Sequence, residues 1–375
     1  MAQAAGCSKA VVSAVLNGSR GNIGASEQLR RRVTEAAQRL GYRTHFASQS
    51  LALQRTRTLG VYIDPLYGGG IAGHYHAAIL SGIEAAAAEH RYDVLLVNFA
   101  GDTTVAGCID KIGQARIDGL LLLHTGRNEM LIDAVLEATS KVVAIDTLDP
   151  PERIQAVSYD HAGAMRLAVD HLAGLGHRRL GYVGPFTTRP IPHNRARVAA
   201  FRAAAAESRL KIDDAAVFLD EQMREKLPQS PSSGAYAAER FLALPPAERP
   251  TALVVYNDRI AADLLARLQH AGLEVPRDVS LLNFENTPIT RVTTPPLTCL
   301  DHPVTPMAHR GTTRLIELIE SAGPDPGDPA ADAADPWHRV FPAELILRGS
   351  TAPPPAGGRL PLSGSIPSHR SEDPE

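Results

Sequence analysis

Apolar positions in the first forty residues follow a helical period. In AGCSKAVVSAVLNGS, Val11, Val12, Val15 and Leu16 recur after Ser8, a natural N-cap, and the run stops at Asn17 and Gly18. The spacing predicts a short helix over 9–16. A second pattern starts at Ser26, another possible cap, repeats Leu29, Val33, Ala36, Ala37 and Leu40 at helical spacing, and ends at Gly41. This second helix is expected to pack on the first. Beyond Thr58 the texture changes to short β-rich runs alternating with alanine-rich helical stretches. LGVYI precedes a helical pattern over 75–90, DVLLVNF one over 104–116, and GLLLL one over 128–139; VVAID and AVSYD lead into a helix over 161–174. RLGYVG, VFL, ALVVYND and VSLLNF then alternate with helices over 194–208, 233–243 and 259–271. Strands that alternate with helices predict doubly wound parallel sheets, and nearly ten units predict two α/β lobes with a cleft between them. Residues 322–336 read as a Pro/Asp/Ala/Gly surface loop, FPAELILRGST as a last strand, and 352–375 as a disordered tail.

Composition adds a division of charge. Residues 1–58 hold nine Lys/Arg against two Glu, a net of +7, while the remainder holds 29 basic and 39 acidic residues, a net of −10. A basic head on an acidic body suits a polyanion-binding module, although a solvated basic face gives the same count. Cys7, Cys108 and Cys299 show no metal-ligand or C-x-x-C spacing and read as reduced thiols. No run of about 20 apolar residues and no signal-peptide pattern occurs, so a cytoplasmic, nucleoid-associated protein is expected.

A helix, a tight turn at a glycine and a Ser-capped helix with small polar residues on its exposed side make a helix-turn-helix plan. The segment AQAAGCSKAVVSAVLNGS resembles the head of the LacI/GalR family of bacterial transcriptional regulators. EQLRRRVTEAAQRLGYR resembles that family's third helix, and SLALQRTRTLGVYI its hinge and first core strand. AVSYDHAGAMRLAVDHLAGLGHRRLGYVG, TALVVYNDRIAADLLARLQHAGLEVPRDVSLLNFEN, TPPLTCL and PAELILRGST follow in the family's order, so the likeness covers about residues 2–351.

The resemblance implies an all-α helix-turn-helix head over 1–43, a hinge over 44–57, a two-lobed effector-binding and dimerisation core over 58–351 of the periplasmic-binding-protein kind, and the tail. It places Lys9, Ala10 and Ala14 at base-reading positions, Ser8, Ser13 and Asn17 near phosphates, and His45 and Leu51 at the DNA within the hinge, with Leu51 as the minor-groove wedge. Ser8 and Ser13 also fit plain capping and surface roles, and Leu51 a core contact. The family's Y-x-P-N-x-x-A is replaced by Tyr42 to Ser48, without its proline and asparagine. The family's first helix begins several residues earlier, so a version extended upstream is expected to grip DNA more tightly.

In open α/β sheets ligands sit at the carboxyl ends of strands. Those ends supply Asp64 and Tyr67, Asp146, Arg197, Asn257, Phe284 and Glu285 as effector contacts. The resemblance gives Asp146, Arg197 and Asn257 the family's polar contacts, while Tyr67 and Phe284 could stack on a ring; the set suits a sugar or sugar derivative. Asp258 as a helix cap and Asp146 as a turn residue are the structural alternatives. Gly68 to Gly73 spells G-x-G-x-x-G but follows its strand too late, with Asp102 too distant, for a dinucleotide loop. The histidines, His74 and His76 included, show no metal-ligand pair, and no G-x-S-x-G elbow occurs. No catalytic residue, metal or cofactor is therefore expected, and the chain reads as a homodimeric, effector-controlled repressor of operator DNA. The alternative is a solute-binding or sugar-metabolising α/β protein without a DNA function.

Overall fold

The computed structural model describes residues 1–17, 25–42, 50, 53, 55–63, 73–97, 109–110, 112–124, 129–186, 191–210, 212–218, 232–321 and 337–355. The chain divides into two compact units. One comprises Met1–Pro65, Leu80–Ala156 and Ala308–Trp337; the other comprises Leu66–Ile79, Val157–Met307 and His338–Glu375.

The head in the first unit is three short helices: α1 (Ala2–Ala5), α2 (Lys9–Asn17) and α3 (Glu27–Arg39). Gly6 closes α1 at φ 60°, and a Cβ built there would stand 2.3 Å from the Arg32 guanidinium, so glycine answers both demands. That guanidinium donates to the Ala5 carbonyl at 2.6 Å and ties α3 to the end of α1. The expected caps are in place. Ser8 Oγ accepts the Val11 N–H at 3.3 Å and Ser26 Oγ the Leu29 N–H at 3.3 Å. Ala5, Val12, Val33 and Ala36 form the buried core, with Met1, Ala2, Cys7, Val15 and Leu16 packed around it. Leu40, counted on the apolar stripe, is instead 54% exposed because α3 ends at Arg39, before it.

The first sheet has six strands in the order β11 (His338–Phe341), β5 (Gln155–Tyr159), β4 (Val142–Ile145), β3 (Gly119–Leu123), β1 (Thr58–Ile63), β2 (Asp93–Leu96). β1 pairs in parallel with β2 and β3, and β3 with β4. Every residue of β1, β3 and β4 is buried, as expected of strands covered on both faces. α4 (His74–Glu89) and α5 (Glu129–Ala138) match the sequence pattern. Gly119 lets α11 (Val304–Glu320) close on β3: a Cβ there would lie 2.9 Å from both Leu315 and Ile319.

The second sheet has the order β12 (Glu344–Ile346), β10 (Thr298–Asp301), β9 (Ser280–Phe284), β8 (Ala252–Val255), β6 (Leu180–Val183), β7 (Val217–Phe218). All its pairs are parallel except β10 with β12. Alternation sorts its faces. Leu253, Val255 and Leu281 pack with α8 (Ser233–Ala243) and α9 (Asp258–His270), whereas Ala252, Val254, Leu282 and Phe284 pack with α6 (His161–Gly174) and α7 (Pro192–Glu207). A single-turn α10 (Ile289–Val292) leads toward β10.

Three expectations are corrected. The last run, FPAELILRGST, is strand only at β12, and an unexpected strand, β11, precedes it and ends at Phe341, the Pro342–Ala343 step between them not being in strand conformation. α11, 17 residues long, went unread because threonine, arginine and histidine interrupt its apolar period. The ordered chain also runs past 351: the Ala352 carbonyl accepts from His177 Nε2 at 2.9 Å and from Ser280 Oγ at 3.1 Å. Cys7 and Cys299 are free thiols, with burial raising the pKa of Cys299; Cys108, the G-x-G-x-x-G segment up to Ala72, Asp102, the 322–336 loop and 356–375 lie outside the described residues.

Candidate functional site

The head presents an exposed face built from the start of α2. Ser8, Lys9, Ala10 and Ser13 are all exposed, and their spacing gathers them around the amino-terminal turns of the helix. Ala14 does not join them. It is 8% exposed, so its methyl is covered by the head itself, one turn on from Ala10, and it is withdrawn from the base-reading positions. Asn17 is the last residue of α2. Arg30, Arg31 and Arg39 on α3 are exposed too, Arg31 paired with Glu27 at 3.1 Å. His45 and Leu51 lie outside the described residues.

Where the hinge segment enters β1, a carboxylate that the sequence reading missed takes hold of it. Asp118 Oδ1 accepts the Thr56 N–H and hydroxyl at 2.7 and 2.8 Å, and Oδ2 accepts the Arg57 N–H at 2.8 Å. Arg55 donates to the Ile319 carbonyl at 3.0 Å, at the end of α11.

The residues expected at the strand ends divide between the units. In the first, Asp146 follows β4 with a left-handed φ of 52°, is 2% exposed, and faces His124 Nδ1 at 3.1 Å. Asp64 and Tyr67 lie outside the described residues. In the second, Arg197 projects from α7 and is 3% exposed. Its guanidinium donates to the Tyr256 carbonyl at 2.7 Å and to the Tyr159 hydroxyl, and lies 4.2 Å from the Phe284 ring centroid. Phe284 is therefore corrected: with no exposed surface it is the floor beneath Arg197, unavailable to stack on a ligand. Asn257 caps α9, its Oδ1 accepting the Ile260 N–H at 2.9 Å. Asp258, expected in that role, is instead the first helical residue and accepts from the Arg259 N–H and the Thr287 hydroxyl. Glu285 turns out of β9 at φ 75°, a backbone strain fixed by Asn283 Nδ2 donating to the carbonyls of Phe284 and Glu285 at 2.5 and 2.9 Å.

Beside these stands a column of aromatic and imidazole rings that the sequence reading missed. Tyr159, ending β5, stacks on His302 with centroids 4.2 Å apart and lies 3.8 Å from His161; His161 and His193 are 5.1 Å apart. A cavity of 480 Å³ opens next to it, lined among others by Tyr75, Glu285, Asn286, Asp301 and His302. The missing signal was the Asp-His step at the ends of β5 and β10, at 160–161 and 301–302, two strand ends that were not counted. His74 and His76 are two positions apart on α4, hence on different sides, and His76 is buried edge-on to Tyr75. No described helix is long and apolar enough to cross a membrane.

Comparison with known proteins meets this geometry. Residues 169–351 match the family described as periplasmic binding protein-like domain. The HTH-type transcriptional repressor CytR of Escherichia coli K12 is 27% identical over 332 residues, covering 87% of this chain and 88% of the relative. The lac repressor dimer bound to operator and the anti-inducer ONPF superposes with a TM-score of 0.73 at 22% identity, over 94% of this chain and 97% of that one. The transcriptional regulator CelR in complex with cellobiose gives a TM-score of 0.65 at 23% identity, over 93% and 98%. With the head's helix-turn-helix order and the two α/β sheets, these make the chain similar throughout its length to the LacI family of bacterial transcriptional regulators.

Proposed function

We propose that this protein is an operator-binding repressor, working in the cytoplasm as a homodimer, whose DNA affinity is set by a sugar-like effector held by its α/β body. The observation that carries the reading is the exposed Ser8–Lys9–Ala10–Ser13 face of a capped helix within a 58-residue segment of net charge +7. In the major groove Lys9 would donate to guanine or to a phosphate, Ala10 would touch a thymine methyl, and Ser8, Ser13 and Asn17 would hold phosphates. His45 and Leu51 would act in the hinge, Leu51 as an apolar wedge at the operator centre. The lac repressor is seen as a dimer on its operator and CelR with cellobiose, which supports the dimer and the sugar class here. Asp64, Tyr67, Asp146, Arg197, Asn257 and Glu285 are the effector contacts of this reading. No catalytic role is assigned to them.

The test is selection from a randomised duplex pool by the purified chain, followed by titration of the selected sequence with and without sugars. A pseudo-palindromic site bound at least about a thousandfold more tightly than random duplex is expected. Binding without any sequence preference refutes the reading.

A further inference from the structure

The hinge enters the first sheet between two strands that start at the same edge. β1 lies between β2 and β3 and runs parallel to both, so residues 56–58 come up beside the points where those strands begin, Tyr92 with Asp93 and Asp118 with Gly119. Both sides take hold of the chain. From the start of β3, the Asp118 carboxylate accepts the Thr56 N–H, the Thr56 hydroxyl and the Arg57 N–H at 2.7, 2.8 and 2.8 Å, and the Asp118 N–H donates to the Thr58 carbonyl at 2.8 Å. From the start of β2, the Asp93 N–H donates to the Arg57 carbonyl at 2.8 Å, and the Arg57 guanidinium lies 5.9 Å from the ring centroid of buried Tyr92. Just upstream, Arg55 donates to the Ile319 carbonyl in the last turn of α11, where a cation meets the negative end of a helix.

Arg57 has a left-handed φ of 50°, a conformation that an arginine left to itself seldom keeps. Its neighbours impose the bend. Without the Asp118 carboxylate the Arg57 backbone can return to an ordinary region, and the chain then leaves the body in another direction. A hinge anchored in this way has a definite length. One extended residue spans at most about 3.3–3.6 Å, close to the rise of one base pair. Freeing residues 56 and 57 lengthens the tether of each head by up to about 7 Å, or about 14 Å for the two heads of a dimer, the reach of about four base pairs. Each base pair inserted between half-sites also turns one of them by about 35° around the duplex. A short fixed tether rejects that displacement, whereas a longer loose one follows it with a modest loss of effective concentration.

We propose that Asp118 is a positioning residue that sets the half-site spacing the dimer accepts: by ending the free tether at residue 55, it fixes how far apart and at what angle the two heads land. The proposal rests on the repressor reading and adds its spacing rule.

The test rebuilds the selected operator with two base pairs added or removed at its centre. Fluorescence anisotropy compares full-length wild type, Asp118→Ala and Asp118→Asn on these duplexes and on a single half-site. Wild type should prefer the selected spacing on the order of 100-fold, and Asp118→Ala less than about 10-fold. Asp118→Asn keeps an oxygen for Thr56 but sets an amide N–H against that of Arg57, and should fall between them. A half-site engages one head and imposes no spacing, so both variants should bind it within about twofold of wild type. Should circular dichroism show Asp118→Ala to be unfolded, Asp118→Asn carries the comparison. The proposal is overturned if a folded variant keeps the wild-type spacing preference, if half-site binding falls in step with operator binding, or if wild type accepts all spacings alike. Each of those outcomes leaves sequence selection by wild type intact, whereas loss of that selection sinks the repressor reading itself.

Discussion

Ser8 has one hydroxyl and two uses for it. It accepts the Val11 N–H at 3.3 Å as the cap of α2, and in the DNA-bound reading it also sits beside a phosphate. Aspartate separates the two uses, being as good an N-cap as serine and a repellent to phosphate. Ser8→Asp should therefore leave the thermal stability of the protein near wild type while weakening operator binding at least tenfold. Ser8→Ala should destabilise the head by about 1 kcal/mol and weaken binding less. Fluorescence anisotropy with a labelled operator duplex, beside circular dichroism melts, reads both; Ser8→Asp binding DNA like wild type would remove Ser8 from the interface. At this scale the sequence shows which polar residues stand at an element's end and leaves open which groups they meet. Asn257 and Asp258 are adjacent acceptors at one helix start, and only the backbone geometry decides which of them caps it. Phe284 looks identical in sequence whether it lines a pocket or floors it; a guanidinium 4.2 Å above its ring decides that.

Elements were legible wherever one period ran uninterrupted. α2, α3, α6, α8 and α9 lie within a residue or two of their expected bounds because a cap, an apolar stripe and a stop agree. α11 was missed where polar side chains cross the stripe, and β11 where an exposed strand of alternating character has no apolar run to announce it. The Asp118 clamp was invisible for a different reason: its three hydrogen bonds join residues 61 and 62 positions apart, and no local pattern encodes them. Two of its donors are backbone amides at the point where the hinge becomes β1, so the clamp fixes where the hinge ends. Asp118→Ala should remove about 2–3 kcal/mol of local stability there. Amide exchange at Thr56 and Arg57 should then accelerate roughly 30- to 160-fold, with the amides of β3 beyond Gly119 unaffected. Unchanged exchange at 56 and 57 would show that the entry is held by other contacts, such as Arg55 on the Ile319 carbonyl.

The whole molecule carries its charge unevenly, +7 over residues 1–58 and −10 over the rest, and this sets how it must respond to salt. Basic side chains that replace condensed counterions along a duplex release them, so log Kobs falls with log[KCl] by about 0.9 for each phosphate neutralised. The acidic body contributes no such contacts and repels the same polyanion, which leaves the head as the origin of the slope. Two consequences follow from that assignment. Operator and random duplex should both lose affinity as KCl rises from 50 to 200 mM, and the ratio between them should change far less, since base contacts release fewer ions. Lys9→Ala should make the slope shallower by about one unit per head if Lys9 holds a phosphate, or reduce the operator-to-random ratio at constant slope if it reads a base. Exposed Lys9 at the first position of α2 is equally placed for either partner. Filter binding across four KCl concentrations distinguishes them, and a variant that changes neither slope nor ratio would show that the exposed start of α2 is not what meets DNA.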